Sequence, residues 1–270
     1  MIESRDGTKL LLRSWRPQEP VRAVVVMVHG FLAHSGLYEW PGAELAARGF
    51  ATYAIDLRGH GKSDGERLYT DKMSSYVDDV SALVRVAKQR QPGLPVFLLG
   101  HSAGGVVACT YALEHQSELA GFICESFAHE VPAPDFALAV IRGLSHIAPH
   151  AHVLRLKHDD YSRDPVWTQR LKTDPLIPRE GYPAQSVAEL ARADQRLKKE
   201  FGRITLPVLI LHGTDDRVTK LHGSEVFARR AGSSDKTLKL YEGHYHDLLN
   251  DLGKERVLAD IADWMRIRAA

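Results

Sequence analysis

Val96–Gly105, VFLLGHSAGG, is the stretch whose reading decides the fold. Four apolar residues, Val96 to Leu99, lead into Gly100-His101-Ser102-Ala103-Gly104, and small residues then run on through VVACTYAL, which reads as a helix. A strand that enters, a tight turn that presents one serine and a helix that leaves make a G-x-S-x-G nucleophile elbow. The glycines follow from the chemistry. The serine needs a strained backbone to put its hydroxyl at the tip, and Gly100 and Gly104 remove side chains that would collide across so sharp a turn. The departing helix aims its free N–H groups at negative charge formed beside Ser102. Taken alone, the pentapeptide also fits a buried serine in a Gly-rich turn of any doubly wound protein. An acid and a base following downstream in the right order separate the two readings.

Upstream, Asp6-Gly7 is a turn signal and Thr8 to Trp15 reads as a strand, with Pro17 and Pro20 keeping this edge from extending. Ala23 to Val28, AVVVMV, shows no polar alternation, the mark of a central strand buried on both faces. It ends in His29-Gly30-Phe31. In hydrolases built around such an elbow a loop at this place supplies the second oxyanion N–H, so the backbone N–H groups of Phe31 and Ala103 form the expected oxyanion hole. His29 precedes the nucleophile and reads as a structural hydrogen-bonder rather than a base. Tyr38 to Arg48 is predicted as a short amphipathic helix ending at Gly49, and Ala51 to Asp56 as the next strand. Asp56, Arg58 and His60 cluster at its C-terminal end, where α/β sheets bind ligands, but are read here as a hydrogen-bonded loop scaffold. Met73 to Gln89 has helical apolar spacing and leads through Gln91-Pro92-Gly93 into the elbow strand.

Downstream, Ala120 to Cys124 is a further buried strand, after which the β-α alternation stops. Residues 127–199 are rich in Pro, His and charge, with helix-like pieces at Phe136 to Ile147 and Ser186 to Phe201 and no convincing sheet strand. They read as a helical cap inserted into a core domain of residues 1–126 and 200–270, there to cover Ser102, exclude water and wall the substrate pocket. The core resumes at Pro207 to Leu211 and ends in His212-Gly213-Thr214-Asp215-Asp216. A carboxylate on the loop after a late strand is what a triad requires, and Asp215 and Asp216 compete for that place. Leu221 to Arg230 reads as a helix and Thr237 to Tyr241 as the last strand, with Glu242-Gly243-His244-Tyr245-His246 after it and a final helix over Asp251 to Ile267. The base must follow the acid here, which leaves His244 and His246; His222 comes too soon, with no strand between.

The bounds agree with an enzyme of this kind. A chain of 270 residues holds one α/β domain with an insertion, and a formal net charge of +1 advertises neither nucleic acid nor an acidic membrane surface. Two cysteines, Cys109 and Cys124, fall in core elements, so no disulfide framework is expected and a reducing, cytoplasmic setting fits. The N-terminus carries no signal pattern and no apolar run reaches membrane-spanning length. There is no HExxH, and the cap histidines His146, His150, His152 and His158 lack regular ligand spacing; no metal and no cofactor are expected.

The chain resembles the monoacylglycerol lipases of the serine α/β-hydrolase superfamily over nearly its whole length. The matching segments are HGFLAHSGLY (His29 to Tyr38), DLRGHGKSDGER (Asp56 to Arg67), PGLPVFLLGHSAGG (Pro92 to Gly105), the segment around Asp174-Pro175-Leu176, LHGTDDRV (Leu211 to Val218) and DKTLKLYEGHYHDLLND (Asp235 to Asp251). The resemblance implies an α/β-hydrolase fold, a mostly parallel central sheet flanked by helices with an inserted helical cap. It places the nucleophile on Ser102, the acid on Asp216, the base on His246 and the oxyanion donors on Phe31 and Ala103. The implied substrate is a small lipid ester, a monoacylglycerol above all, with carboxylesterase or lysophospholipase activity as the alternative and a non-catalytic ligand-binding relative as the contrast from another class. The outer face of the apolar cap helix is a candidate for transient membrane contact. Two departures stand out. Ala103 replaces the family's usual Met, where only the N–H is needed, and Glu125-Ser126-Phe127 replaces its usual Ser/Ala-Pro turn.

Overall fold

The computed structural model describes residues 1–18, 20–131 and 135–269. Seven strands form the central sheet: β1 (Leu12–Trp15), β2 (Ala23–Val28), β3 (Phe50–Ile55), β4 (Val96–His101), β5 (Gly121–Glu125), β6 (Val208–Gly213) and β7 (Lys236–Tyr241). Their order across the sheet is β7-β6-β5-β4-β2-β3-β1, and every pairing is parallel except that of β1 with β3. Strands β2 through β6 are buried along their whole length, because helices cover both faces and leave no solvent side to alternate toward.

One face packs on α2 (Met73–Arg90), α3 (Ala103–His115) and α7 (Leu221–Arg230), with Val80, Leu83, Val107, Tyr111 and Phe227 in a common apolar cluster. The other packs on α1 (Glu39–Ala47) and α8 (Lys254–Arg268), through Leu45, Leu258, Ile261 and Trp264. The expected class, a mostly parallel sheet between helical layers, is the architecture present.

Several local expectations are refined. The strand expected over Thr8 to Trp15 is broken at Leu11, whose N–H goes to Ser63 Oγ and whose carbonyl accepts from Asp56 N–H. Lys9–Leu10 therefore pairs with Ile2–Glu3 in a separate antiparallel ladder, while β1 joins the main sheet. The helix expected from Tyr38 starts with a 3-10 turn, Ser35–Tyr38, and Gly49 ends the α1 segment in the left-handed region, at φ 91°. The last helix begins at Lys254 rather than Asp251, because Gly253 at φ 90° breaks the chain and the Asp251 carboxylate is bound to Arg163 and the Tyr245 N–H.

Between β5 and β6 the chain forms α4 (Asp135–Ile147), α5 (Pro165–Thr173) and α6 (Ala184–Glu200). A two-stranded ladder, His152–Leu154 with Tyr182–Pro183, stays apart from the main sheet. The α5 helix lies outside the helix-like pieces expected from the sequence, although Asp164-Pro165 announces it: the Asp164 carboxylate caps the Val166 N–H and Pro165 occupies the first turn, where its missing N–H costs nothing. The insertion meets the core through Phe31, Leu32, Ala103, Tyr161, Trp167 and Tyr182, all buried in one apolar cluster. The C-terminal half of α6 instead sends Ala193 and Leu197 into the main core.

Candidate active site

The turn after β4 puts Ser102 at φ 56°, ψ −122°, a region L-residues avoid, and the flanking glycines allow it. A Cβ on Gly104 would stand 2.3 Å from the His29 carbonyl oxygen, and one on Gly100 2.6 Å from Ala108 Cβ and 2.7 Å from the Gly104 oxygen. Both glycines exist for close approach, one to the β2 loop and one to α3. Ser102 is fastened from the β5 side, its N–H donating to the Glu125 carbonyl at 2.9 Å.

Gly30 brings the β2 loop against the elbow: a Cβ there would lie 2.8 Å from Ser102 Cβ and 3.4 Å from Ala103 N. Phe31 and Ala103 line the same small cavity with Gly30, Gly104 and Val107. Among the described residues neither the Phe31 nor the Ala103 N–H has an intramolecular acceptor, so both are available to an external one. His29 is a structural hydrogen-bonder: its Nδ1–H donates to Gly30 O at 2.8 Å, its Nε2 accepts from Leu57 N–H at 3.0 Å, and burial depresses its pKa to about 4. Asp56, Arg58 and His60 form a loop scaffold. The Asp56 carboxylate accepts from Ser35 N–H, Ser35 Oγ and Lys62 N–H, Arg58 is paired with buried Asp79 and with Asp6, and His60 bonds the Arg58 carbonyl.

The loops after β6 and β7 separate the members of each candidate pair by direction. His246 is fully buried, and its Nδ1 lies 2.8 Å from Asp216 Oδ2; Asp215, one residue earlier, is exposed and turned away. Asp216 Oδ1 accepts the Val218 and Thr219 N–H groups at 2.7 and 2.9 Å, while Oδ2 also takes the Thr219 hydroxyl at 2.8 Å and faces His212 Nε2 at 3.1 Å. Burial alone would raise this carboxyl's pKa; the charges and hydrogen bonds of His246 and His212 outweigh it and hold the group well below its ordinary range. His244 points elsewhere, its Nδ1 3.5 Å from Asp251 Oδ2.

With Nδ1–H committed to Asp216, the other imidazole nitrogen, Nε2, is the acceptor, and it is buried without a hydrogen-bond partner. The ring packs 4.8 Å, centroid to centroid, from His101, the neighbour of Ser102, and the Ser126 hydroxyl donates to the His246 carbonyl at 2.6 Å. No hydrogen bond joins Nε2 to Ser102 Oγ among the described residues.

Behind the imidazole lies a cluster that sequence reasoning does not assemble. His101, Glu125 and Asp247 are buried, and one ligand-type atom of each falls within 4.8 Å of the others. Glu125 Oε1 accepts from Leu249 N–H, and Asp247 accepts from Trp167 Nε1 and Asn250 Nδ2, so the unpartnered atoms left for a cation are Glu125 Oε2 and His101 Nε2. A proton meets the electrostatic need more simply: burial pushes Glu125 well above the ordinary glutamate range and Asp247 up to about 6. Glu125 stands in the segment that departs from the usual Ser/Ala-Pro turn, the one sequence signal of this cluster.

Comparison with known proteins identifies the family. A family model described as "Serine aminopeptidase, S33" matches residues 19–253. A monoacylglycerol lipase of Mycolicibacterium smegmatis is 33% identical over 262 residues, covering 96% of this chain and 93% of its own, and the human monoglyceride lipase is 33% identical over 274 residues, covering 100% and 90%. The crystal structure of the Paleococcus ferrophilus monoacylglycerol lipase superposes with a TM-score of 0.87 at 30% identity, over 96% of this chain and 99% of that one. A strand-turn-helix elbow, a mostly parallel seven-stranded sheet and relatives of this similarity over nearly full length have one reading: the chain belongs to the monoacylglycerol lipase family of the serine α/β-hydrolases.

Proposed function

We propose that this serine ester hydrolase cleaves monoacylglycerols to glycerol and free fatty acid through an acyl-enzyme, with Ser102 as nucleophile, His246 as base and Asp216 as the acid that orients it. The observation that carries the reading is the His246 imidazole, bound through Nδ1 to Asp216 and unpartnered at Nε2 beside the strained Ser102 turn. His246 Nε2 takes the Ser102 proton as Oγ attacks the ester carbonyl, and Asp216 stabilises the imidazolium. The oxyanion is held by the Phe31 and Ala103 N–H groups. His246 then protonates the departing glycerol oxygen. Water enters, gives its proton to His246 and attacks the acyl carbonyl, and Ser102 Oγ leaves with that proton. The Nε2 to Oγ contact closes in the substrate complex, as catalytic hydrogen bonds of this kind do.

In this reading residues 127–199 form the cap over a core of residues 1–126 and 200–270. Phe136, Val140 and Ile147 are 72%, 63% and 86% exposed, and their spacing of four and eleven residues puts them on one face of α4, a stripe suited to transient contact with a lipid surface. No helix among the described residues is long and apolar enough to cross a membrane. Cys109 and Cys124 are buried free thiols, which supports a cytoplasmic setting.

The test is a panel of monoacylglycerols, p-nitrophenyl esters and lysophospholipids, run beside fluorophosphonate labelling of the native chain. Labelling of Ser102, its loss in Ser102→Ala and a kcat/KM highest for monoacylglycerols support the assignment. A preference for lysolipids overturns the substrate, and absence of labelling overturns the mechanism.

A further inference from the structure

The peptide unit joining Phe31 to Leu32 is gripped at both polar ends by tyrosines from the insertion. The Tyr161 hydroxyl donates to the Phe31 carbonyl at 3.3 Å, and the Leu32 N–H donates to the Tyr182 hydroxyl at 2.6 Å. The Tyr182 ring also stacks on the Phe31 ring, centroids 3.7 Å apart and planes 17° from parallel. All four residues are buried. Leu32 sits at φ 53°, a left-handed conformation that a leucine does not choose, so something outside the loop must hold it there.

We propose that Tyr161 and Tyr182 are positioning residues for the oxyanion hole, holding the Phe31–Leu32 peptide so that the Phe31 N–H faces the reacting carbonyl. The inference rests on the roles given above to Ser102 and Phe31. Phe31 Cα is fixed from three sides: through its carbonyl by Tyr161, through the next N–H by Tyr182 and through its ring by the stack. Its own N–H is what remains, on the side of Gly30 and the elbow. Without the two hydroxyls the peptide is free to rotate, which relieves Leu32 and turns Phe31 away from a fixed aim.

Tyr161 also ties the base to the same frame. Its ring meets the His246 ring edge-on at 5.1 Å, and its carbonyl accepts the Asp247 N–H at 2.8 Å. Tyr161 follows the short 3-10 turn His158–Asp160 and Tyr182 lies on the small ladder against Leu154, so two separate parts of the insertion reach the same peptide. The insertion thereby completes the site in the core, and its contribution goes beyond covering it.

Tyr161→Phe and Tyr182→Phe keep each ring and delete only the hydroxyl. Each is expected to lower kcat about three- to tenfold, the loss of one net hydrogen bond, with KM on a soluble ester within about twofold. Affinity for an alkylboronic acid, whose tetrahedral Ser102 adduct carries negative charge where the oxyanion forms, should fall by the same factor as kcat. A tyrosine that merely lines the pocket changes KM and spares the boronate ratio, and that result overturns the proposal, as do wild-type kcat and boronate affinity in both variants. Fluorophosphonate labelling of the native chain separates the two levels: if Ser102 is not labelled, the underlying functional reading fails with the inference; if it is labelled and the variants behave as wild type, the inference alone fails.

Discussion

Replacing Asp216 by Asn is the sharpest probe of the site, because the surroundings dictate which way the amide must lie. Oδ1 accepts two backbone N–H groups, Val218 at 2.7 Å and Thr219 at 2.9 Å, and neither donor can become an acceptor. The carbonyl oxygen of the introduced amide is therefore forced into that position, and its NH2 falls where Oδ2 stood, 2.8 Å from His246 Nδ1. Two donors would face each other, so the imidazole gives up its Nδ1 proton and carries one on Nε2 instead. Thr219 Oγ1 turns its lone pair toward the new NH2, which makes the wrong tautomer stable rather than merely accessible. An Nε2 already protonated cannot accept from Ser102. The same exchange in a serine protease triad lowers kcat about 10⁴-fold with geometry intact, or about 5 kcal/mol in the barrier, and a loss of that size is expected here. The assay is kcat on a p-nitrophenyl ester, with thermal unfolding to show that the variant is folded and Asp215→Asn as the control. Activity of Asp216→Asn within about tenfold of wild type, or an equal loss in Asp215→Asn, refutes the reasoning.

Two further expectations concern stability. Gly104→Ala presses a methyl group to 2.3 Å from the His29 oxygen and 2.5 Å from the Val28 oxygen, both rigid backbone, and should cost about 3 kcal/mol in urea unfolding, whereas Gly143→Ala on open α4 should gain about 0.5–1 kcal/mol; equal effects would contradict the steric account. For Glu125 the sign runs with burial, which raises its pKa against Asp247, Asp216, Tyr38 and His101 around it. Its protonated form supports the fold fully below the ordinary value of 4.5, and that support drains away as pH rises through the higher folded value. Glu125→Gln has no such drain, so its stability relative to wild type should improve as pH rises above the ordinary glutamate value of 4.5. A pH-independent gap in urea midpoints would show that Glu125 does not titrate with folding.

Most of the sheet is legible in the sequence because burial on both faces leaves unbroken apolar runs such as AVVVMV, and the elbow because a glycine-flanked serine between a strand and a helix is followed downstream by acid and base candidates in the right order. Asp215 and Asp216 cannot be told apart from spacing alone, since adjacent residues on a loop differ only in direction. That direction is set by the Val218 and Thr219 N–H groups and by the approach of the β7 loop, where a Cβ on Gly213 would come within 2.3 Å of the His244 oxygen. Tyr161, Tyr182 and the His101, Glu125 and Asp247 cluster are invisible for a different reason: their partners lie up to 150 residues away along the chain, and no local pattern encodes such meetings. The ladder His152–Leu154 with Tyr182–Pro183 is too short to carry an alternating signal, and only the Asp-Pro pair at its start marks α5.

Strands β5 and β6 are hydrogen-bonded neighbours, Phe122 opposite Val208 and Glu125 opposite Leu211, so the long excursion between them departs and returns through the same doorway. A tether closed in this way is nearly indifferent to its own length, since doubling such a loop adds only about 0.6 kcal/mol of closure entropy. The excursion can therefore be recast without shearing the strands beneath. What it cannot discard cheaply are the few polar links that run back across the threshold, such as those from Tyr161 and Tyr182 to the Phe31–Leu32 peptide.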